Sequence, residues 1–290
     1  MMELRDVDRV SAIEPDQFRQ DYFKPLKPLI IEDLAKDWPA TGKWTPEFFQ
    51  ARFPHKQVKV FDASFVDAGK NYMAQAKSLP MREYIDQVMN TSQDLRMFLY
   101  NIKTEIPELA EDILFPDLVD GISRHFLFMF FGCKASVTQM HFDIDMSHVF
   151  HTAIFGRKTV TLLPYEQGTN LHRYPFTCRS YVDVHAPDFE AFPRLKDAEG
   201  YRLQLQPGET LYIPSGYWHH FVYDEASCSI SLRSGASDMR SRLLGLYNLL
   251  IMQSVDRVMN ILWPKGWFQW KQQQALLQPW RLRLGPGVNT

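Results

Sequence analysis

The stretch from 138 to 158, TQMHFDIDMSHVFHTAIFGRK, decides the fold and carries most of the candidate chemistry. It sets three histidines and two aspartates among apolar residues and ends on a lysine just after a glycine turn. Side chains on a strand alternate between its two faces, so His141 and Asp143 share a face about 7 Å apart. We therefore expect an imidazole and a carboxylate side by side in an otherwise apolar interior.

Short strand-like runs separated by turn residues continue on both sides of this stretch, from about 96 to 234. Turn formers such as Gly132, Gly156 and Pro207-Gly208 separate short runs of β-branched and aromatic residues. The predicted strands are MFLYNI (97–102), HFLFMFFGC (125–133), VTQMHFD (137–143), VFHTAIFG (149–156), KTVTLLP (158–164), YRLQLQPGETLYIP (201–214) and CSISLRS (228–234). Many short strands with such turns predict a β-sandwich or a closed barrel.

The two ends of the chain are predicted to contain helices, unlike this middle part. Thr45 is expected to cap a helix that has Pro46 at its first position, and a second helix is expected to begin at 78–80. Residues 28–33 and 57–63 are strand-like. After Gly235, residues 240–263 are apolar around most of a helix, and a short helix follows at 267–277. We expect three segments: 1–95 packing on the barrel, the barrel core at 96–235, and a helical segment at 236–290.

Composition and charge limit the classes of function. The chain has 290 residues, a net charge of −2 and a pI near 6.5, so nothing points to a nucleic-acid or membrane surface. The polar start lacks the apolar core of a signal peptide, and no apolar run approaches the ~20 residues that span a bilayer. The three cysteines, Cys133, Cys178 and Cys228, are widely spaced without a CxxC pair. We expect a cytoplasmic protein with reduced thiols and no cysteine zinc site.

A second histidine candidate comes from far downstream. The run GETLYIPSGYWHHFV (208–222) places His219 directly after a strand and a tight turn. Two histidines and one carboxylate on one face of a metal leave the opposite positions open, as in non-haem Fe(II) oxygenases. An HxD pair alone is weak, and His219 alone could be a core histidine. The occurrence of the HxD strand, the GRK turn and the PGETLYIP…WH strand in this order favours a metal site.

These motifs resemble those of the cupin-like jumonji-C hydroxylases, the group that contains the asparaginyl hydroxylase of the hypoxia pathway. The similarity extends to KPLIIEDLAKDWPATGKWTPEFF (27–49) and APDFEAFPRLKDAEGYRLQLQPGETLYIPSGYWHHFV (186–222). It implies a mostly β fold, a double-stranded β-helix (the jelly-roll or cupin barrel) with helical N-terminal and C-terminal additions. It also implies Fe(II), 2-oxoglutarate and O2, with His141, Asp143 and His219 as metal ligands and His220 as a structural residue pointing the other way.

The resemblance also suggests where the co-substrate binds. The family uses a lysine just after the glycine turn for the distal carboxylate of 2-oxoglutarate, and that lysine is Lys158 here. A buried ammonium without a partner is costly, so an inward lysine implies an anion; the alternative is a solvent-facing lysine at a strand start. Thr138 takes the place of a hydroxyl that joins the lysine. The family's tyrosine aligns with Phe98, and Tyr100 is expected two residues on, on the same face.

Further residues depart from the family pattern. Val149 stands where many members carry an asparagine, and His151 is expected on the same face, either contacting 2-oxoglutarate or packing as an aromatic ring would. Arg233 replaces a common asparagine. It could bind a carboxylate of co-substrate or substrate, or pair with an acidic neighbour. Asp145 and His148 are expected in a link between strands, at the rim.

The function implied by the resemblance is hydroxylation of a C–H bond on a protein side chain. Three alternatives stay open: a non-catalytic cupin that binds a metal or ligand, a metal-dependent isomerase or dioxygenase without 2-oxoglutarate, and a tRNA-base hydroxylase. Lys158 with Thr138 argues against the first two, and the acidic balance gives the third no support. Relatives often dimerise through C-terminal helices, so we expect a homodimer whose interface includes Leu244, Tyr247 and Ile251.

Overall fold

The computed structural model describes residues 2–62 and 76–277, and these residues contain fourteen short strands. The strands are β1 (Glu3–Arg5), β2 (Asp8–Val10), β3 (Leu29–Ile31), β4 (Gln57–Val60), β5 (Lys77–Pro80), β6 (Arg96–Asn101), β7 (Phe128–Gly132), β8 (Val137–His141), β9 (His148–Phe155), β10 (Lys158–Leu163), β11 (Glu199–Leu205), β12 (Thr210–Ile213), β13 (Trp218–Tyr223) and β14 (Ser227–Ser234). Each run expected to be a strand contains one, and the run 201–214 contains two. The last residue of the expected 57–63 strand lies outside the described residues.

The helices lie at the two ends of the chain and between the first strands. They are α1 (Pro15–Phe18), α2 (Pro39–Lys43), α3 (Pro46–Arg52), α4 (Met81–Asn90), α5 (Ile102–Glu105), α6 (Met239–Tyr247), α7 (Gln253–Leu262) and α8 (Pro264–Leu277). The predicted cap is confirmed, because the Thr45 hydroxyl accepts a hydrogen bond from the backbone N–H of Phe48 at 3.2 Å. Within the described ranges, none of the helices combines the length and apolarity needed to cross a membrane.

Two sheets face each other and form the barrel. One has the order β1-β11-β10-β13-β8, and the other has the order β2-β3-β12-β9-β14-β7-β6. The eight strands β7 to β14 divide four and four between them, which is the arrangement of a jelly roll. The predicted mostly-β cupin fold is therefore confirmed. Strands β1, β2 and β3 show that the N-terminal segment extends both sheets as well as packing on them.

The core has an inner part between the sheets and an outer part against the N-terminal helices. Val160, Leu162 and Leu211 lie in the inner part, whereas Phe150 belongs to the outer part. Residues 149 and 150 thus lie on opposite faces of β9, as alternation requires. The inner face of the barrel is the place to look for a buried polar site.

A glycine makes the connection from β9 to β10 possible. Gly156 has φ +71°, and a Cβ atom on it would lie 2.1 Å from the carbonyl oxygen of Ala226. Any side chain would therefore clash with the neighbouring backbone in addition to the strain of a positive φ. This turn sends the chain into the opposite sheet and starts β10 at Lys158.

The C-terminal helix is continuous over 239–262, as predicted, but contains a π turn over 248–252 that joins α6 to α7. It packs on the segment that follows β8. Asn248 Nδ2 donates to the carbonyl oxygen of Ile144 at 3.1 Å, and a Cβ atom on Gly245 would lie 2.6 Å from the carbonyl oxygen of Asp145. The helix therefore supports the loop that carries Asp143.

Candidate functional site

Three of the predicted residues meet at one end of the barrel. His141 ends β8 and lies directly opposite His219 on β13, and the two Nε2 atoms are 3.1 Å apart. Asp143 lies two residues past the end of β8. One ligand atom from each of the three side chains lies within 4.8 Å of the other two. The structure thus brings together the residues expected to bind the metal.

The tautomers of the two histidines follow from their other contacts. His141 Nδ1 lies 2.7 Å from the carbonyl oxygen of Gln139, and His219 Nδ1 lies 3.0 Å from that of Tyr217. Because a carbonyl oxygen only accepts, we infer that each Nδ1 carries the proton and each Nε2 presents a lone pair. Two lone pairs facing each other repel, and a cation between them would satisfy both.

Burial keeps both rings neutral. Burial, followed by the neighbouring His219, holds the pKa of His141 well below its usual value. Burial also lowers the pKa of His219, although the charge of Asp143 opposes this shift. Neutral imidazoles are the form that binds metals, so the pair is ready to act as ligands at neutral pH.

Asp143 is held as a carboxylate by a neighbouring arginine. Burial alone would raise the pKa of Asp143, but the charge of Arg233 and the two histidines outweigh burial and lower it. Arg233 Nη2 donates to Asp143 Oδ1 and its Nη1 donates to Ser147 Oγ, both at 2.9 Å. Arg233 Nη1 also lies 3.6 Å from Asp145 Oδ1. Of the alternatives for Arg233, pairing with acidic neighbours is the one seen here.

Lys158 lies deep inside the barrel, on the first residue of β10. Its side chain is fully buried, so the solvent-facing alternative is wrong. The ammonium donates to Ser229 Oγ at 2.7 Å and lies 4.3 Å from the centre of the Tyr223 ring. Burial lowers the pKa of Lys158 to about 7. None of the carboxylates in the described part of the chain pairs with it, so this end of the barrel fits an anion.

A β-bulge places Thr138 on the face of His141. His219 pairs with His141 and Phe221 pairs with Thr138, so β8 has one residue more than β13 between these pairs. The extra residue puts two positions three residues apart on the same face. Thr138 hydrogen-bonds with Tyr223, whose ring contacts Lys158. Thr138 therefore belongs to the lysine's surroundings, through Tyr223.

A second bulge removes Tyr100 from the pocket, so the expectation that it shares a face with Phe98 is wrong. Met97 pairs with Phe131 and Tyr100 pairs with Met129, which leaves two residues of β6 opposite one residue of β7. Directly paired residues share a face, and both Met129 and Tyr100 belong to the outer core. The Tyr100 hydroxyl is buried there without a hydrogen-bond partner among the described residues.

His151 lies inside the barrel, as predicted from alternation. Its ring is packed between Phe130 and Phe221, with ring centres 5.4 and 5.0 Å away. Burial, followed by the charge of Lys158, holds its pKa well below the usual value. Its Nε2 atom is buried with no hydrogen-bond partner in the described part of the chain. His151 therefore packs as an aromatic ring would, and its Nε2 atom remains able to form a hydrogen bond.

His148 was expected at the rim, and this expectation is wrong. Strand β9 begins at His148, one residue earlier than predicted, and its side chain is fully buried on the outer side of the sheet. The ring stacks on Phe23 at 4.2 Å, and Nδ1 lies 2.9 Å from the Tyr212 hydroxyl. Asp145 lies in the link, exposed as expected. His220 is buried and follows His219 on a strand, so it faces away from the metal ligands.

Ser229 and Tyr223 were not singled out from the sequence, although they contact Lys158. A usable signal was present in SCSISLRS (227–234), where serines and Arg233 occupy every second position. On a strand this pattern puts all of them on one face. Tyr223 offered no comparable signal, because its closeness to Lys158 depends on the pairing of β10 with β13.

Comparison with known proteins places this geometry in a family. Residues 15–233 match the family model for the cupin-like domain. The chain is 29% identical over 231 residues to lysine-specific demethylase 8 of Xenopus tropicalis, covering 74% of this chain and 50% of that protein. It is 28% identical over 236 residues to JmjC domain-containing protein D of Dictyostelium discoideum, covering 70% of this chain and 50% of that protein.

A third relative has a different described role. The chain is 23% identical over 248 residues to tRNA wybutosine-synthesizing protein 5 of Gallus gallus, covering 78% of this chain and 76% of that protein. The chain spans about half the length of the first two relatives. Since the matched region contains the complete triad and the barrel that carries it, the chain belongs to the cupin-like domain family and is related to its JmjC proteins.

Proposed function

We propose that this protein is an Fe(II)- and 2-oxoglutarate-dependent oxygenase that hydroxylates a C–H bond on a protein side chain. The observation that carries the proposal is the pair of facing histidines, His141 and His219, with Asp143 beside them and a buried lysine in the same barrel. The relatives named as a demethylase and as a JmjC protein support the same class of chemistry.

The three ligand residues fit Fe(II). Two neutral imidazoles and one carboxylate form the donor set of non-haem iron oxygenases, which leaves positions for a co-substrate and O2. When bound, the ion supplies the oxygen and keto-acid chemistry that amino-acid side chains cannot perform. The chain itself keeps His141 and His219 in the metal-binding tautomer through two backbone carbonyls, and Arg233 keeps Asp143 ionised.

The lysine end suits the distal carboxylate of 2-oxoglutarate. Lys158 is buried, bonded to a neutral hydroxyl and lacks a carboxylate partner among the described residues. An anion that enters with its own charge would favour the protonated lysine and make the burial less costly. A non-catalytic cupin, or an enzyme that ignores 2-oxoglutarate, has no use for a cation at this position.

The direct test uses the unmodified protein without oxygen. Adding Fe(II) and 2-oxoglutarate should produce the weak visible charge-transfer band of a chelated keto acid, and admitting O2 should release succinate. If neither the band nor 2-oxoglutarate binding is observed with saturating Fe(II), the proposal is contradicted and a non-catalytic cupin becomes the better description.

The substrate class needs its own test, because one relative is named as a tRNA wybutosine-synthesizing protein. That resemblance favours a tRNA base as the second candidate, while the net charge of −2 gives no support for binding a polyanion. Succinate release can be measured with a peptide library and, separately, with total tRNA. Stimulation by peptides alone supports the protein-side-chain substrate, whereas stimulation by tRNA alone contradicts it.

We also propose that two copies associate through the C-terminal helices. Many apolar side chains of these helices are more than 50% exposed: Leu243, Leu246, Leu250, Ile251, Ile261 and Leu262. Of the three residues expected in the interface, Leu244 and Tyr247 line a small cavity against Tyr165 and Arg173 on the barrel side, so the proposed interface keeps Ile251 and omits these two. Light scattering should give a dimer mass for the natural chain and a monomer mass for Leu246→Glu with Leu250→Glu. A monomer at every concentration of the natural chain contradicts this proposal.

A further inference from the structure

The inner face of β14 carries a polar column that connects the two ends of the pocket. Ser229, Ser231 and Arg233 are two residues apart, so they point to the same side. Ser229 accepts a hydrogen bond from Lys158, and Arg233 donates one to Asp143. The middle residue, Ser231, therefore lies between the lysine and the metal ligands.

Among residues 2–62 and 76–277, two polar atoms in the middle of this column have no hydrogen-bond partner. Ser231 is paired with His151 across the β14–β9 ladder, so the two side chains are neighbours on the same face. Ser231 Oγ and His151 Nε2 are both buried, and within the described residues neither forms a hydrogen bond. Buried polar groups are rarely left unpaired, so an unpaired pair at one spot points to a bound group that supplies the partner.

The surroundings select an anionic partner. Lys158 and Arg233 place positive charge on both sides of His151, and the charge of Lys158 is one cause, after burial, of the low pKa of His151. A neutral imidazole still has one N–H to donate, and a serine hydroxyl has one O–H. Ser229 accepts from the lysine, which leaves its own proton available. A carboxylate can accept from all of these donors because it has about four lone-pair sites.

We propose that Ser229, Ser231 and His151 complete, with Lys158, the binding site for the distal carboxylate of a 2-oxo dicarboxylic acid. In this chain they provide the polar contacts that were expected from Tyr100, which faces the outer core instead. The inference rests on the proposed use of 2-oxoglutarate. It adds that side chains from β9, β10 and β14 all contribute to the affinity for the distal carboxylate.

A comparison of two ligands tests this assignment. 2-Oxopentanoate has the keto-acid end and chain length of 2-oxoglutarate but lacks the distal carboxylate. Both ligands are titrated anaerobically into the protein saturated with Fe(II), for the natural chain, Ser231→Ala and His151→Phe. Each variant should bind 2-oxoglutarate about tenfold or more weakly, which is the effect of losing one hydrogen bond to a charged group. Affinity for 2-oxopentanoate should not change.

Matched variants separate a contact from a change in packing. His151→Phe keeps a ring between Phe130 and Phe221, and His151→Gln keeps an N–H donor, so the glutamine variant should recover part of the lost affinity. Thr152→Val alters the next residue of β9, whose hydroxyl is already bonded to Thr210, and should leave both affinities as they are.

The outcomes distinguish this inference from the proposed function. If the natural chain binds 2-oxoglutarate and neither variant weakens it, the proposed function stands and the assignment is wrong. Equal losses for 2-oxoglutarate and 2-oxopentanoate would also overturn it, because a packing defect affects both ligands alike. If the natural chain does not bind 2-oxoglutarate at all, both the function and the assignment fail.

Discussion

The metal end and the lysine end of the pocket are prepared for their ligands in different ways. At the metal end each side chain already has a partner that orients it: backbone carbonyls for His141 and His219, and Arg233 for Asp143. At the lysine end, the ammonium contacts a hydroxyl and an aromatic ring. Nearby polar atoms have no hydrogen-bond partner within the described residues. The first end is oriented in advance, whereas the second is completed by its ligand.

This difference has an energetic consequence. Oriented ligands lose little freedom when an ion binds, so the metal end is expected to bind without rearrangement. The buried lysine is costly by itself and becomes favourable only with an anion present. Substitutions at the metal end should therefore abolish function, whereas those at the lysine end should change affinity in graded steps.

The largest effect is expected for Asp143→Ala. The change removes one ligand and leaves the Arg233 guanidinium next to two neutral imidazoles, so an added cation meets repulsion in place of a carboxylate. We expect no detectable 2-oxoglutarate turnover and loss of Fe(II) binding, with a cooperative thermal unfolding transition retained because the barrel has its own core. Asp197→Ala, at an exposed carboxylate, is the control. Near-normal turnover by the Asp143 variant would show that the metal lies elsewhere.

A smaller loss is expected for Lys158→Ala. Removing one partner of a buried charge pair typically costs ~2–5 kcal/mol, which corresponds to roughly a thirtyfold or greater loss of 2-oxoglutarate affinity. Lys158→Arg should keep part of the affinity, because a guanidinium can pair with a carboxylate but needs more room. Titration of 2-oxoglutarate at saturating Fe(II) measures both variants. Equal 2-oxoglutarate affinities for the natural chain and the alanine variant would show that Lys158 does not contact the co-substrate.

The pH dependence of binding should separate the two ends further. The pKa of Lys158 is about 7 in the free protein, so above pH 7 the lysine is mostly neutral and must take up a proton to pair with the anion. Affinity for 2-oxoglutarate should be level below pH 7 and fall by up to about tenfold per pH unit above it. Lys158→Arg should remove this slope, since arginine stays charged. A slope that persists in the arginine variant would assign the titration to another group.

The smallest effect is expected for Tyr100→Phe. The bulge in β6 turns this side chain to the outer core, so loss of its hydroxyl should leave the affinity for 2-oxoglutarate unchanged. The same change should slightly stabilise the fold, because the hydroxyl is buried without a partner among the described residues. The dissociation constant and the melting temperature measure the two effects. A clear loss of affinity would mean that Tyr100 reaches the pocket despite the bulge.

The strands were predicted from local patterns, whereas the inward Lys158 and the meeting of His141 and Asp143 with His219 were predicted from motifs that resemble those of a family. Alternation over a few residues gives the face of His151 relative to Val149, and the glycine turn gives the start of β10. The contact of Lys158 with Ser229 is different, since the two residues are far apart in the chain and meet through sheet pairing. Such contacts follow only when the register of both strands is known.

The two bulges show how a single extra residue changes such a prediction. In β8 the extra residue brings Thr138 to the face of His141, which simple alternation over three positions would not allow. In β6 the extra residue sends Tyr100 away from the face of Phe98, which simple alternation did allow. Neither bulge is marked by glycine in the sequence. The family motif therefore predicted the face of Thr138 better than residue spacing did. For Tyr100, residue spacing predicted the wrong face.

The close approach of Gly245 to the loop after Asp143 constrains how this position can vary. Alanine would favour the helix by about 1 kcal/mol over glycine on intrinsic propensity. A methyl group at 245, however, would lie 2.6 Å from the carbonyl oxygen of Asp145. Local preference and tertiary contact thus favour different residues, and the contact prevails here. Among sequences that share this helix, glycine at 245 should mark those in which the helix lies directly on the metal loop. Larger residues should mark those in which it has moved away.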